Sequence, residues 1–246
     1  MLSDFDGTIS PIVGDPATAA PLPGAVDALH RLARRFRTVA VVSGRPATFL
    51  VGTLGLGEER SPLLAYGLYG AERVDPDGRV TAVATQRDAI DAVCDAAREL
   101  EAGAAPGVEV ERKGRSVTLH WRKVPEQRAA AEQLAASTAT RHALVLRPAR
   151  QSTELVLPNA PDKANAVASL AAGASAACYL GDDVGDLPAF EALGVLSRTS
   201  GTSIVRVAIA SDESPAGLTD EADVVLGEPA GAVAFLIALA ARSEAR

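Results

Sequence analysis

The sequence predicts an α/β protein, an open parallel sheet that carries an inserted α+β module of the order αββαββ. Three observations predict it. Residues 38–42 and 176–180 are continuous apolar runs, the pattern of strands buried on both faces of a parallel sheet. Helical periodicities adjoin those runs near both ends of the chain. Between about residues 80 and 157 the pattern changes to strands that alternate apolar and polar residues, as half-exposed antiparallel strands do. The expected division is therefore a core made of residues 1–79 and 158–246, with residues 80–157 inserted.

Length and composition agree with this. The 246 residues suit a core with a smaller insertion as well as they suit one large domain. With 48% apolar, 22% charged and only 4% aromatic residues, the core must be built mainly from Val, Leu and Ala. A net charge of −7 argues against a nucleic-acid partner, which would need clustered Lys and Arg. No run approaches the roughly 18 apolar residues of a membrane span, and no secretory leader pattern opens the chain, so the expected location is the cytoplasm. Cys94 and Cys178 are far apart, lack metal-ligand spacing and read as buried structural thiols. His30, His120 and His142 are too dispersed for a zinc site, and His30 reads as a solvated helix residue.

The chain opens on a very short strand at residues 1–3. Leu22, Val26, Leu29, Leu32 and Phe36 then recur at helical spacing, with Arg34, Arg35 and Arg37 at the end, where they complement the helix dipole. The buried strand at 38–42 follows, and Pro46 suits the first turn of another helix. Strand, helix and strand within about forty residues make a right-handed βαβ unit.

In the insertion, Ile90, Val93 and Leu100 mark a helix face. Lys113-Gly114 is the expected hairpin turn, which would set Glu111 opposite Ser116 and Glu109 opposite Thr118. Beyond it Ser116, Thr118, His120 and Arg122 share one strand face, while Val117, Leu119 and Trp121 share the other and should pack on helices. A second helix and two more strands end near residue 157. The core grammar then returns: Asp162 can cap a helix through Val167 and Leu170, followed by the strand at 176–180 and a helix near Pro188.

Ligands of open parallel sheets bind beyond the carboxyl ends of the strands, so the residues that follow each strand carry the functional signal. After the first come Asp4-Phe5-Asp6-Gly7-Thr8, where the two-residue period sends Asp4 and Asp6 one way and Phe5 the other. The pair also fits the start of a calcium loop, but Thr8 and the lack of a suitably spaced Glu further on speak against it. After the second come Ser43-Gly44-Arg45, a hydroxyl and backbone N–H groups ahead of a helix, suited to phosphate. Lys163 adds a positive charge at a later helix start. Residues 181–186 hold Asp182, Asp183 and Asp186, which would repel one another without a cation; a hard ion such as magnesium fits.

In order and spacing these stations resemble the haloacid dehalogenase (HAD) superfamily of phosphatases, across both core segments. The motifs fall on Asp4 and Asp6, on Ser43, on Lys163, and on Asp182, Asp183 and Asp186. A narrower resemblance, to the trehalose-6-phosphate phosphatase family, lies in Ser10-Pro11-Ile12-Val13, Asp15-Pro16, Ser43-Gly44-Arg45, Gly67-Leu68-Tyr69-Gly70-Ala71-Glu72, residues 111–116 and Leu119-His120-Trp121-Arg122. The sequence departs from that family at Tyr69, commonly His, at Ala164, commonly Gly, and at Gly185 and Leu187, where Thr and Glu are usual.

The resemblance implies a HAD-like Rossmannoid core with an inserted cap, and a Mg2+-dependent hydrolase of a small sugar phosphate, trehalose 6-phosphate first. Asp4 is the implied nucleophile and Asp6 the acid and base, with Ser43 and Lys163 on the transferring phosphoryl oxygens. Asp4, the Asp6 backbone carbonyl and Asp182 would hold the metal, and Asp186 and Asp183 would position its waters. Arg45, Glu72, Glu111, Lys113, Ser116, Arg122 and Glu154 are the implied substrate contacts. Two other readings stay open: a phosphatase for another sugar phosphate, such as sucrose-6-phosphate or a glycosyl-phosphoglycerate, and a catalytically weak sugar-phosphate-binding regulatory protein.

Overall fold

A computed structural model describes residues 1–58, 61–149, 151–211 and 214–245. From the N-terminus run β1 (Leu2–Ser3), α1 (Ala25–Ala33), β2 (Ala40–Val42), α2 (Ala47–Thr53), β3 (Leu64–Gly67), β4 (Glu72–Val74) and β5 (Val80–Ala82). Next come α3 (Arg87–Gly103), β6 (Glu109–Arg112), β7 (Ser116–His120), α4 (Arg128–Arg141), β8 (Val145–Ala149) and β9 (Ser152–Val156). The chain then continues through α5 (Lys163–Ala171), β10 (Ala176–Gly181), α6 (Leu187–Ser200), β11 (Ser203–Ala210), α7 (Ala216–Asp220), β12 (Val224–Gly227) and α8 (Glu228–Glu244).

Two compact units result, Met1–Ala82 with Pro161–Arg246, and Val83–Ala160. The first is built on an eight-stranded sheet of order β12-β11-β10-β1-β2-β3-β4-β5, parallel from β12 through β3 and antiparallel at β4 and β5. Strand periodicity sorts its interior into two layers. Val41, Leu180, Val207 and Ile209 pack with Leu29 and Leu32 of α1 and Val233 and Leu236 of α8. Their neighbours Ala40, Tyr179 and Ala208 pack on the opposite side with Val167 of α5 and Phe190 and Leu193 of α6. The mixed α/β, parallel-sheet class expected from the apolar runs is the one observed.

The second unit has the order α3-β6-β7-α4-β8-β9, the predicted αββαββ, around a four-stranded antiparallel sheet of order β6-β7-β9-β8. Val117, Leu119 and Trp121 pack with Val93, Ala96, Ala97 and Leu100 of α3 and Ala131, Ala135 and Ala139 of α4, as the alternation in β7 predicts. The insertion expected from residue 80 begins three residues later by contact. Residues 80–82 are claimed by the larger sheet, because β5 hydrogen-bonds to β4 as its edge strand.

The hairpin register corrects the expectation. Glu111 faces Thr118 and Glu109 faces His120, and the Lys113 N–H donates to the Ser116 carbonyl at 3.0 Å. The two turn residues are thus Gly114-Arg115, one step later than expected. Gly114 has φ +77, and a two-residue turn that is left-handed only at its first position needs glycine there. The slip changes each pairing by two residues, so every side chain keeps its face.

His30 corrects a second expectation. It is buried in α1, with Nε2 2.8 Å from the Leu54 carbonyl and Nδ1 bonded to the Ser61 hydroxyl. A carbonyl only accepts, so Nε2 carries a proton and donates to Leu54. Cys94 and Cys178 are free thiols, each half-buried.

Candidate active site

Beyond β1 the chain folds back at once: the Gly7 N–H donates to the Ser10 carbonyl at 2.7 Å, and those of Ile9 and Ser10 donate to the Phe5 carbonyl at 3.0 Å. Phe5 is fully buried and meets Phe49 edge-on, with ring centroids 5.5 Å apart. That anchor leaves Asp4 and Asp6 on the other side of the strand. Parallel register sets Ser3 level with Val41 of β2 and Leu180 of β10, so Asp4, Ser43 and Asp182 all leave the same carboxyl edge.

Asp4, Asp182 and Asp186 are buried, and one ligand oxygen from each lies within 4.8 Å of the others. Lys163, held at the start of α5 by the Asp162–Asn165 capping box, sends Nζ 2.9 Å from Asp4 Oδ2 and 2.6 Å from Asp186 Oδ1. Tyr179 donates to Asp186 Oδ1 at 2.6 Å, and the backbone N–H groups of Asp182 and Asp183 donate to Asp186 Oδ2 at 2.9 and 3.2 Å. Thr8 donates to Asp182 Oδ1 at 3.0 Å. The Asp183 side chain accepts from the Gly185 N–H at 2.7 Å and caps the short turn of residues 184–186.

Two glycines let these groups approach. Gly7 has φ +75, and a Cβ there would collide with the Asp182 carboxylate. A Cβ on Gly181 would strike the Asp186 carboxyl group.

Burial, first, and then the charges of Asp186 and Asp183 hold the Asp4 carboxyl well above the usual carboxylate range, against the pull of Lys163. Burial works to lower Lys163, but Asp186 and Asp4 outweigh it and raise its ammonium well above the usual value. Both shifts retain protons, the signature of a pocket with too much negative charge for its one lysine. Oxygen ligands in excess, closed to solvent, are what a hard dication needs, and the donor set fits magnesium.

Ser43 is buried, and its Oγ accepts from the Arg45 N–H at 3.1 Å. Arg45 itself grips Asp6 with two bonds, Nε to Oδ2 at 2.7 Å and Nη2 to Oδ1 at 2.6 Å. Its Nη1 donates to the Pro16 carbonyl at 2.6 Å, and its guanidinium stacks 4.8 Å over the Phe49 ring. Glu72 accepts from the Ala47 N–H at 2.7 Å, at the start of α2.

In the smaller unit, Glu154 is buried, accepts from Ser116 at 2.5 Å and lies 3.5 Å from Lys113 Nζ. Glu111 Oε2 is 3.9 Å from Lys113 Nζ and 2.9 Å from His120 Nε2. Arg122 lies just past β7, half-buried. Within each unit the structure brings part of the predicted set together: Asp4, Lys163, Asp182, Asp183 and Asp186 in the larger, and Glu111, Lys113, Ser116 and Glu154 in the smaller. Asp6, Ser43 and Arg45 form a separate group, and Glu72 is spent on the start of α2. Sequence reasoning missed Tyr179 and Thr8 as partners of the carboxylates. A Tyr inside an otherwise apolar buried strand was the available signal, since its hydroxyl must find a partner.

The profile of the trehalose-phosphatase family matches residues 2–221, a span that includes every residue of both clusters. The chain belongs to the trehalose-phosphatase family. The trehalose-phosphate phosphatase of Mycolicibacterium paratuberculosis is 38% identical over 203 residues, covering 77% of this chain and 50% of that protein. The chain spans about half the length of the curated relatives it matches. Among solved structures, the C-terminal domain of Candida albicans trehalose-6-phosphate phosphatase has a TM-score of 0.78 at 22% identity, covering 98% of this chain and 91% of that one. A haloacid dehalogenase-like hydrolase from Bacteroides thetaiotaomicron has a TM-score of 0.63 at 13% identity, covering 97% and 98%. These neighbours share the HAD-like fold. Among the described residues, no helix is long and apolar enough to cross a membrane.

Proposed function

We propose that this trehalose-phosphatase family member hydrolyses a small sugar phosphate, trehalose 6-phosphate, to the free sugar and phosphate. One observation carries the reading: Asp4, Asp182 and Asp186 converge within 4.8 Å beside Lys163, at the carboxyl edge of a parallel sheet.

Phosphoryl transfer depends mainly on positioning and on charge stabilisation. Asp4 attacks phosphorus and becomes an aspartyl-phosphate while Asp6 gives a proton to the departing sugar oxygen. Asp6 then takes a proton from the water that cleaves the acyl phosphate, which regenerates Asp4. Both Asp6 oxygens accept from Arg45, so one of these bonds opens before the acid step. Lys163 and the Ser43 hydroxyl bind the transferring oxygens. Asp4, Asp182 and the Asp6 carbonyl would hold magnesium, with Asp186 and Asp183 around its waters; when bound, the ion neutralises charge between the anionic nucleophile and the phosphate.

Glu111, Lys113, Ser116, Arg122 and Glu154 of the smaller unit bind the sugar; Arg45 and Glu72 of the larger unit are further substrate contacts. Their mixture of carboxylates, a hydroxyl and cations matches the donors and acceptors of a polyol.

Phosphate release should be measured over a panel of trehalose 6-phosphate, sucrose-6-phosphate, a glycosyl-phosphoglycerate and p-nitrophenyl phosphate, with magnesium and with chelator. Turnover of trehalose 6-phosphate should exceed that of the other sugar phosphates, stop with chelator and vanish in Asp4→Asn. Full phosphate release by that variant would refute the nucleophile. Sugar-phosphate binding without turnover would replace the enzyme by a binding protein.

A further inference from the structure

Four strands of the smaller unit place Glu111, Thr118, Glu154 and Arg147 in one transverse row: Glu111 pairs with Thr118, Thr118 with Glu154, and Glu154 with Arg147. Thr118 is the uncharged member, between two carboxylates, and it is 2% exposed. A threonine there should donate to a neighbour, yet its hydroxyl is buried without a hydrogen-bond partner.

Its cross-strand neighbour has the matching defect. Glu154 Oε1 is used by Ser116 at 2.5 Å and lies 3.5 Å from Lys113 Nζ, whereas Glu154 Oε2 is buried and has no partner. Among the described residues these are the buried side-chain atoms left unsatisfied. Burying a polar atom without a partner is costly, so native proteins keep few of them and each asks for a reason.

An unused donor and an unused carboxylate oxygen on directly paired residues are complementary to one chemical group, a hydroxyl that accepts from the first and donates to the second. We infer that Thr118 is a specificity-determining residue whose hydroxyl, with Glu154 Oε2, binds one hydroxyl of the substrate's sugar. This deepens the proposed function and rests on it. The apolar packing of Val117 and Leu119 fixes the strand on either side of Thr118, so the buried hydroxyl has little freedom to lose on binding.

Thr118→Val keeps the shape and removes only the hydroxyl. The contact is present in ground state and transition state alike, so KM for trehalose 6-phosphate should rise about fivefold to tenfold with kcat held. The ratio of kcat/KM for trehalose 6-phosphate to that for p-nitrophenyl phosphate should fall by the same factor. Thr118→Ser should restore it to within about twofold. The ligand-free Tm of Thr118→Val should not fall, because an unsatisfied buried hydroxyl has been removed.

A Thr118→Val protein with wild-type KM, or an equal loss on both substrates that leaves the ratio at its wild-type value, overturns the assignment. So does a Thr118→Ser variant that behaves like Thr118→Val. If Thr118→Val does not fold, Thr118→Ser against Thr118→Ala decides by the same ratio, which only the loss of the hydroxyl should lower. Wild-type protein inert on trehalose 6-phosphate overturns the proposed function, and this inference with it; that result is seen before any variant is measured.

Discussion

At the scale of single residues, Gly7 shows how tightly the site depends on its backbone. Its positive φ alone would cost an alanine about 1–2 kcal/mol, and a Cβ would also collide with the Asp182 carboxylate. Gly7→Ala should therefore lose phosphatase activity at least a hundredfold while its circular dichroism stays native; retention of most activity would show that Asp182 can move without consequence. The residues around Gly7 were legible because each chemical group follows a strand end. Arg45 was less so. Its place in Ser43-Gly44-Arg45 suggested phosphate, but only the fold shows that it grips Asp6. His30 failed for the complementary reason: helical spacing put it beside the apolar stripe, and the loop atoms of Leu54 and Ser61 that satisfy its ring were invisible to periodicity.

At the scale of elements, what could be read depended on how much each strand is buried. Strands β2 and β10 lie in the middle of the larger sheet and read as apolar runs. Strands β3, β4 and β5 run out to its edge and were not assigned; β4 and β5 have three residues each, too few for a period to register, and β5 is fully exposed. Strand β11, also unassigned, mixes exposed Ser203 with buried Val207 and Ala208. In the β6–β7 hairpin the face of each residue was legible and the register was not, because a two-residue slip preserves every face. Gly114 carries that register. Nothing lies within 4 Å of its missing Cβ, so Gly114→Ala should cost only the backbone strain, about 1–2 kcal/mol. Its melting temperature should fall by roughly 2–4 °C per kcal/mol, with KM for p-nitrophenyl phosphate at the wild-type value. A fall as severe as that of a core deletion would mean that the turn packs against something else.

At the scale of the whole molecule, the buried carboxylates link stability to both protons and metal. Burial and neighbouring acids raise the Asp4 carboxyl well above its ordinary value, so the metal-free fold binds that proton more tightly than the unfolded chain does. The resulting stabilisation is complete below the ordinary carboxylate range and is lost as pH rises through the raised value. Lys163 is raised as well, but its contribution persists until pH passes its own, far higher, range. Magnesium competes with the proton for the same carboxylates. Ligand linkage gives about 2.7 kcal/mol at a hundredfold excess over Kd, so thermal melts with magnesium should exceed those with chelator at neutral pH. The difference should shrink towards zero as the pH approaches the ordinary carboxylate range. A magnesium-dependent rise in Tm of equal size at every pH would place the ion away from Asp4, and no rise at neutral pH would remove the metal from the cluster.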